Sequence, residues 1–351
     1  MSKMSSLSNS RINWLALLTA LCWGSGSFFG KMAMKKGNLS PLTGIILRTS
    51  IALILFTFLL IFFGNKINAQ FINEIRFAWK SSKIGFFQIV FFEGFLAGAC
   101  GMFLYYLALS RGDLSLVMPL AFLSPFWGTL LSLIFMEEKI NSSRLIGLLL
   151  TIVGIFTISA SNLTFTELLQ FRIEYLAILT GICWGVGSFF GKRGMKKTNI
   201  SSFVGITIRT STALVFLLIA AFSVGTSLLN ASLFPELIWV VQNSLGQFFL
   251  ILFFEGVIAG FFGMLFYYIA IRGGDLSLVM PVAFTSPFWG TLLALIWQTE
   301  IFTSQRIFGM LIIIVGIAFT LAPDFWKPIK VTNGFFDYTP NHNSPSKTNN
   351  D

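Results

Sequence analysis

The chain is dominated by apolar stretches of about twenty residues, separated by short polar or proline-containing breaks. A helix that crosses the roughly 30 Å hydrocarbon core of a bilayer needs about 20 such residues. Charged residues make up only 11% of the 351 residues, and the mean hydropathy is +0.80, which is too little charge to hydrate a soluble domain. The pattern therefore predicts an all-α membrane protein with ten transmembrane helices, near residues 13–33, 42–63, 84–110, 114–136, 144–161, 174–194, 203–224, 246–271, 276–298 and 306–323.

An internal repeat organises these stretches. The segment that starts at Trp23, WGSGSFFGKMAMKK, matches the segment that starts at Trp184, WGVGSFFGKRGMKK, at eleven of fourteen positions. The segments that start at Leu114 and Leu276 match at fourteen of sixteen, and the two offsets, 161 and 162, are nearly equal. The sequence thus predicts a short cytoplasmic segment at 1–12, a five-helix repeat at 13–161, a linker at 162–173, a second repeat at 174–323 and a disordered cytoplasmic tail at 324–351.

The odd number of helices in each repeat requires the second repeat to enter the membrane in the opposite orientation. If the N-terminus is cytoplasmic, sixteen Lys and Arg residues fall on the inside and six on the outside, as the positive-inside rule favours. We therefore expect both termini in the cytoplasm and two inverted repeats, an arrangement that recurs in secondary transporters whose binding sites lie between the repeats.

Glu93 and Glu255, in the motif FFEG of both copies, are the acidic residues that fall inside predicted helices. An ionised carboxylate in hydrocarbon is costly, so it must be paired, solvated or protonated. One interpretation is that each glutamate binds substrate or a coupling proton. The other is a structural ion pair with Arg48 or Arg209. Glu93 lies about 14 Å from the inner end of its helix and Arg48 about 10 Å from the outer end of the preceding one, so those two side chains could meet.

Other small and aromatic residues recur near the same depth. The glycine-rich segment after Trp23 lacks the spacing of a phosphate-binding loop, and the separation of Gly26 from Gly30 favours close helix packing instead. Tyrosines near the helix ends are typical of an interfacial belt. We consider four further residues as cavity-lining candidates: Trp23, Trp184, Ser27 and Ser188.

Prolines interrupt the fourth helix of each repeat, because proline cannot donate the backbone hydrogen bond of a continuous helix. Broken helices are tolerated where the freed carbonyls face protein, water or a ligand. Their residues are therefore candidates for the cavity lining: Pro119, Pro281, Ser124, Ser286, Trp127 and Trp289.

The sequence lacks the residues that several kinds of catalysis and cofactor binding require. The single histidine lies in the polar tail, and no nucleotide-binding motif occurs, so we expect no enzyme, no metal and no cofactor. The net charge of +10 is spread over helix ends rather than clustered, which argues against nucleic acid. The expected partners are a small-molecule solute and the lipid bilayer, with protons and a homodimer left open.

Each half resembles the EamA-like domain of the drug/metabolite transporter superfamily. The resemblance rests on an ordered series of marks in both copies: Trp23-Gly24 and Trp184-Gly185, Arg48 and Arg209, Pro125 and Pro287, Glu138 and Glu300, and the glycine pairs Gly147/Gly154 and Gly309/Gly316. It implies ten helices, a central cavity between the repeats and transport of small organic solutes.

The sequence therefore predicts a non-ATP transporter that works by alternating access in the bacterial inner membrane. The expected solute resembles an amino acid, an amine or another metabolite, with proton coupling through Glu93 and Glu255 as an option. A sugar or nucleotide-type solute remains the alternative within transport, and a membrane scaffold the alternative outside it.

Overall fold

The computed structural model describes residues 9–64, 70–135, 142–160, 173–223, 232–297, 299 and 303–325. The described secondary structure is helical throughout. The first half contains α1 (Asn9–Gly37), α2 (Pro41–Phe63), α3 (Phe71–Ser81), α4 (Lys83–Arg111), α5 (Leu114–Ala121), α6 (Ser124–Phe135) and α7 (Ser142–Ala160). The second half repeats the order with α8 (Ile173–Thr198), α9 (Ser202–Ser223), α10 (Leu233–Asn243), α11 (Leu245–Gly273), α12 (Leu276–Ala283), α13 (Ser286–Ile296) and α14 (Ser304–Phe325).

Seven of the described helical segments are long and apolar enough to cross a membrane, namely α1, α2, α4, α5–α6, α9, α11 and α12–α13. α7 and α14 contain shorter apolar stretches, Ser142–Thr157 and Ile307–Thr320. The helical class that the sequence predicts is therefore confirmed. That ten helices cross the membrane stays a prediction.

The fourth helix of each repeat is broken where the prolines predict it. α5 ends at Ala121 and α6 begins at Ser124, with Phe122 and Leu123 in a turn between them. Pro125 lacks the N–H that would bond to the carbonyl of Ala121 in a continuous helix, and Phe126 N–H donates instead to the carbonyl of Leu123 at 3.0 Å. The same break separates α12 from α13.

The long helices α4 and α11 are not regular α-helices. Their central parts, Gln88–Gly101 and Ile251–Gly263, are π-helical, which is rare over such a length and is frequent at functional sites. Glu93 and Glu255 lie inside these two segments. The sequence pattern does not predict these wider turns.

The two repeats interlock. α4 of the first repeat packs against α8 and α9 of the second, and α11 of the second packs against α1 and α2 of the first. α7 and α14 pack against each other. Each glutamate-bearing helix is therefore held by the other repeat, and this exchange places residues of both halves around one central cavity.

Candidate functional site

The central cavity contains about 520 Å³ of empty space, which includes space open to solvent. Its sixteen lining residues form eight pairs of equivalent positions in the two repeats. The pairs are Trp23/Trp184, Ser27/Ser188, Arg48/Arg209, Glu93/Glu255, Ala97/Ala259, Met102/Met264, Tyr105/Tyr267 and Phe122/Phe284. Both repeats therefore contribute equally to the lining.

Two buried ion pairs cross from one repeat to the other at this cavity. Arg48 Nε lies 3.0 Å from Glu255 Oε2, and Arg209 Nε lies 3.2 Å from Glu93 Oε1. All four side chains are at most 7% exposed. The depth argument from the sequence concerned Glu93 and Arg48 of the same repeat, and that pairing is wrong: each glutamate meets the arginine of the opposite repeat.

Each glutamate pairs with the arginine of the other repeat because the helices of the two repeats interlock. α4 and α9 pack together along the segments that carry Glu93 and Arg209. Arg48 and Arg209 lie about 10 Å from opposite faces of the hydrocarbon core, so both come within several ångströms of Glu93 in depth, and depth alone could not separate them. The lateral order of the helices decides which arginine lies beside which carboxylate.

The Glu93 carboxylate has spare hydrogen-bonding capacity. Its Oε1 accepts from Arg209 and also from the Tyr268 hydroxyl at 2.7 Å. Its Oε2 is buried without a hydrogen-bond partner among the described residues. A buried acceptor without a partner is costly, so this oxygen is a place where a ligand donor would gain a strong interaction.

Glycines on α1 and α8 make room for the glutamates. A Cβ at Gly191 would lie 3.0 Å from Glu93 Cδ, and a Cβ at Gly30 would overlap the Glu255 side chain. The GxxxG spacing thus allows close packing as the sequence predicts. At Gly30 and Gly191, however, the close neighbour is the ion-pair carboxylate of the other repeat.

Six aromatic rings form a connected cluster in the cavity wall. The Trp23 ring lies 5.0 Å from Tyr267 and 5.1 Å from Phe284, and the Trp184 ring lies 5.0 Å from Tyr105 and 5.2 Å from Phe122. Each tryptophan thus contacts rings of the opposite repeat. Both indole Nε1–H groups are buried without an acceptor among the described residues.

The tyrosines of this cluster correct a prediction from the sequence. Instead of forming an interfacial belt, Tyr105 and Tyr267 are 2% exposed. Their hydroxyls donate to Ser27 Oγ at 2.8 Å and to Ser188 Oγ at 2.7 Å. Their recurrence at equivalent positions, the signal that singled out the glutamates, could have identified them from sequence.

Eight of the predicted site residues line the cavity: Trp23, Trp184, Ser27, Ser188, Arg48, Arg209, Glu93 and Glu255. The expectation that the broken fourth helix lines it through its serines, prolines and tryptophans is corrected. Pro119, Pro281, Ser124, Ser286, Trp127 and Trp289 lie outside this lining.

Tight packing against the first helix of the other repeat explains this position. The backbone carbonyl of Ser124 and Cβ of Trp127 lie against Gly185, and the equivalent atoms of Ser286 and Trp289 lie against Gly24. The broken helices contribute Phe122 and Phe284 to the cavity instead, because the break turns these residues away from the helical path.

The described residues contain no cluster of three or more His, Cys, Asp or Glu side chains that could hold a metal ion. Two of the resemblance marks, Glu138 and Glu300, fall outside the described residues. The other marks lie on the helices and interfaces described above.

The fold and the cavity define an integral membrane protein of the transporter type, and comparison with known proteins makes the class specific. The model of the EamA-like transporter family matches residues 10–160 and 172–322. The chain therefore belongs to the EamA-like transporter family, as its sequence motifs predict. This membership indicates a transporter rather than an enzyme.

Further comparisons describe proteins that are similar to this chain. An uncharacterized protein of Methanocaldococcus jannaschii is 30% identical over 148 residues, which make up 42% of this chain and 96% of that protein. That relative thus has about the length of one repeat. A solved crystal structure has a TM-score of 0.64 at 14% identity, covering 91% of this chain and 99% of its own, and this likeness shows the fold alone.

Proposed function

We propose that this transporter works by alternating access and carries a small zwitterionic or cationic organic solute, of the amino-acid or amine type. The observation that carries the proposal is the coincidence of two buried ion pairs and six aromatic rings around one cavity between the repeats. Sites between inverted repeats are typical of secondary transporters.

Polar groups without a partner on the cavity-lining residues complement a zwitterion. Glu93 Oε2 offers an acceptor to an ammonium group, and an organic cation also gains from the faces of tryptophan and tyrosine rings. The indole N–H groups of Trp23 and Trp184 offer donors to a carboxylate. The two arginines and two glutamates balance in formal charge, so a solute without net charge would leave the cavity neutral.

The ion pairs supply a means of coupling. Each pair joins α4 or α11 to a helix of the other repeat, so a movement of one repeat against the other changes the geometry of both. A solute ammonium or a proton that reaches a glutamate competes with its arginine partner. We propose that this competition links solute or proton binding to the change of access.

The test is ligand-induced thermal stabilisation of the purified protein, measured at an acidic and at a neutral pH. The panel contains amino acids, amines, sugars and nucleosides. We expect amino acids or amines to raise the melting temperature. In Glu93→Gln we expect the same rise to require at least a tenfold higher ligand concentration. The matched control is Asp275→Asn, which removes the half-exposed aspartate of the pair with Arg144 outside the cavity lining.

Other outcomes would change the assignment. A sugar or nucleoside that binds equally well to the wild type, Glu93→Gln and Glu255→Gln would overturn the zwitterion proposal and favour the aromatic rings as the recognition element. Unchanged pH dependence of transport in both glutamine variants would exclude these carboxylates as the proton site.

For the orientation we propose cytoplasmic termini in a bacterial inner membrane. The support is the sixteen-to-six distribution of basic residues between the two sides. Accessibility of single cysteines introduced at Lys35 and at Lys80, which this topology puts on opposite sides, tests it. Labelling of both from the same side would contradict the arrangement.

A further inference from the structure

Two short helices lie outside the membrane-spanning segments, at the points where the second span of each repeat leads into the third. α3 (Phe71–Ser81) and α10 (Leu233–Asn243) occupy equivalent places in the two repeats. Because each joins the end of one span to the start of the next, each lies at a membrane–water boundary. The inverted repeats put them at opposite boundaries.

Both helices are fixed to the protein along one face by the same arrangement. On α3 the Glu74 Oε1 accepts from Gln70 N–H at 3.2 Å, while Oε2 accepts from Ser201 N–H of the other repeat at 2.6 Å. On α10 Glu236 accepts from Ser232 N–H and from Ser40 N–H at 2.9 and 2.8 Å. Ala78 and Val240, one turn further on, are fully buried.

The outward faces are both apolar but differ in charge. α3 exposes Ile72 and Trp79 at 63% and 52%, with the exposed Arg76 between them at helical spacing. Lys80 is also exposed, and the Lys83 ammonium lies 5.8 Å from the Trp79 ring centroid. The face therefore interleaves aromatic or aliphatic side chains with cations.

α10 offers a contrast within the same molecule. It exposes Phe234 and Ile238 at 62% and 58%, but its sequence LFPELIWVVQN contains no Lys or Arg. The ends of α8 and α1 carry equivalent exposed lysine pairs, Lys196/Lys197 beside α3 and Lys35/Lys36 beside α10. The difference in charge therefore comes from the cations of α3 and the start of α4. Glu74, the acid of α3, is engaged by backbone N–H groups and leaves the outward cations unneutralised.

We propose that the outward face of α3 binds the anionic phospholipid headgroups of one leaflet, and that α10 lies at the opposite leaflet without this preference. Basic amphipathic helices with aromatic residues bind such interfaces, and each Lys or Arg near the surface strengthens the attraction. The proposal does not depend on which solute is transported.

The link from α3 to the cavity is short. Ser201, whose N–H Glu74 holds, directly precedes α9, and Arg209 lies two turns further along that helix in the ion pair with Glu93. Lipid that orders α3 therefore orders the start of α9. The variant Glu74→Gln is expected to bind lipid like the wild type. In this variant, however, bound lipid is expected no longer to change the solute affinity.

The experiment compares the full-length protein in nanodiscs of phosphatidylcholine alone and of phosphatidylcholine with phosphatidylglycerol, and titrates phosphatidylglycerol into detergent-solubilised protein by native mass spectrometry. Arg76→Gln/Lys80→Gln is the test variant and Lys35→Gln/Lys36→Gln, at the opposite boundary, is the matched control. We expect the test variant to bind phosphatidylglycerol roughly 10- to 30-fold more weakly, from two lost surface charges, and to lose stabilisation by the anionic nanodisc.

A second readout guards against a general loss of folding. Quenching by brominated phosphatidylglycerol is expected to decrease on Trp79→Phe, since that residue lies on the proposed contact face. Equal binding by the test variant and the wild type would overturn the proposal, as would an equal loss in the control variant. Failure of the solute panel would leave these lipid measurements unaffected, so the two proposals fail separately.

Discussion

Around the central cavity the two repeats meet through charged and aromatic side chains, whereas α7 and α14 meet through glycine and threonine. At the second contact the backbones approach closely: a Cβ at Gly154 would lie 2.7 Å from the carbonyl oxygen of Gly309. Thr151 and Thr320 donate to carbonyls of their own helices at 2.8 and 3.0 Å. Around the cavity, by contrast, Glu93 Oε2 and two indole N–H groups have no partner among the described residues.

The difference indicates that the two contacts serve different purposes. Small residues with satisfied hydroxyls allow tight helix packing in a membrane, where apolar burial gives no drive for association. Polar groups that remain unpaired are retained at a cost in stability, which is typical of a site that binds something. We therefore expect α7–α14 substitutions to affect stability and cavity substitutions to affect function as well.

The largest effect on stability is expected when one charge of the ion pair between Glu93 and Arg209 is removed and the other is left. Arg209→Gln leaves the Glu93 carboxylate buried without its arginine, and we expect the free energy of unfolding to fall by about 3–5 kcal/mol. Glu93→Gln/Arg209→Gln removes both charges and is expected to recover most of that loss, yet to remain defective in solute binding. Thermal and denaturant unfolding of the purified variants measure this.

The pair of Arg144 and Asp275, at 3.1 Å with the Asp275 side chain 51% exposed, is the control for that experiment. Its removal from the exposed side by Asp275→Asn is expected to change the stability by less than about 1 kcal/mol. If the double variant at Glu93 and Arg209 bound solute like the wild type, the ion pair would be purely structural and the contrast between the two contacts would disappear.

The next effect tests the α7–α14 contact. In Gly154→Ala the new methyl group would meet backbone and Ile313 within 2.7–2.9 Å, so the helices must separate, at a cost of about 1–3 kcal/mol. Solute affinity of the folded fraction is expected to stay the same. Gly246→Ala, where no atom lies within 4 Å of the added carbon, is the control, and a loss of affinity in Gly154→Ala would show that the two contacts are coupled.

A smaller effect is expected for the hydroxyl that joins Tyr105 to Ser27. Tyr105→Phe keeps the ring in the aromatic cluster and removes one hydrogen bond of 2.8 Å, which contributes about 0.5–1.5 kcal/mol. Thermal unfolding of Tyr105→Phe and of the equivalent Tyr267→Phe measures this change in stability, and ligand titrations measure the accompanying change in solute affinity. Equal changes in both would indicate that the two halves of the cavity contribute alike, while unequal changes would reveal which half contacts the solute.

The smallest effect concerns Glu74, which joins the repeats outside the membrane. Burial raises the pKa of its carboxyl group, although the N–H of Ser201 and the charge of Arg272 act in the opposite direction. A raised pKa favours folding below the unfolded value, and this stabilisation is lost as the pH rises through the folded value. The melting temperature of Glu74→Gln relative to the wild type is therefore expected to rise from acidic to neutral pH. A pH-independent difference would contradict this.

Much of the fold follows from local sequence features. The lengths of the apolar stretches and the internal repeat predict a duplicated helical membrane protein, and the order of motifs predicts the family. The buried glutamates, arginines, tryptophans and serines could also be selected as site candidates, because polar residues that recur at equivalent positions in apolar helices demand an explanation.

Only the tertiary structure decided which of these residues meet. The sequence places Arg48 and Arg209 within several ångströms of Glu93 along the membrane normal, so the choice between the two arginines depends on the lateral order of the helices. The interlocking of α4 with α8 and α9 sets that order. It also brings Tyr105 and Tyr267 into the interior and gives α6 and α13 a packing role, since contacts between distant helices leave no periodic signal in the chain.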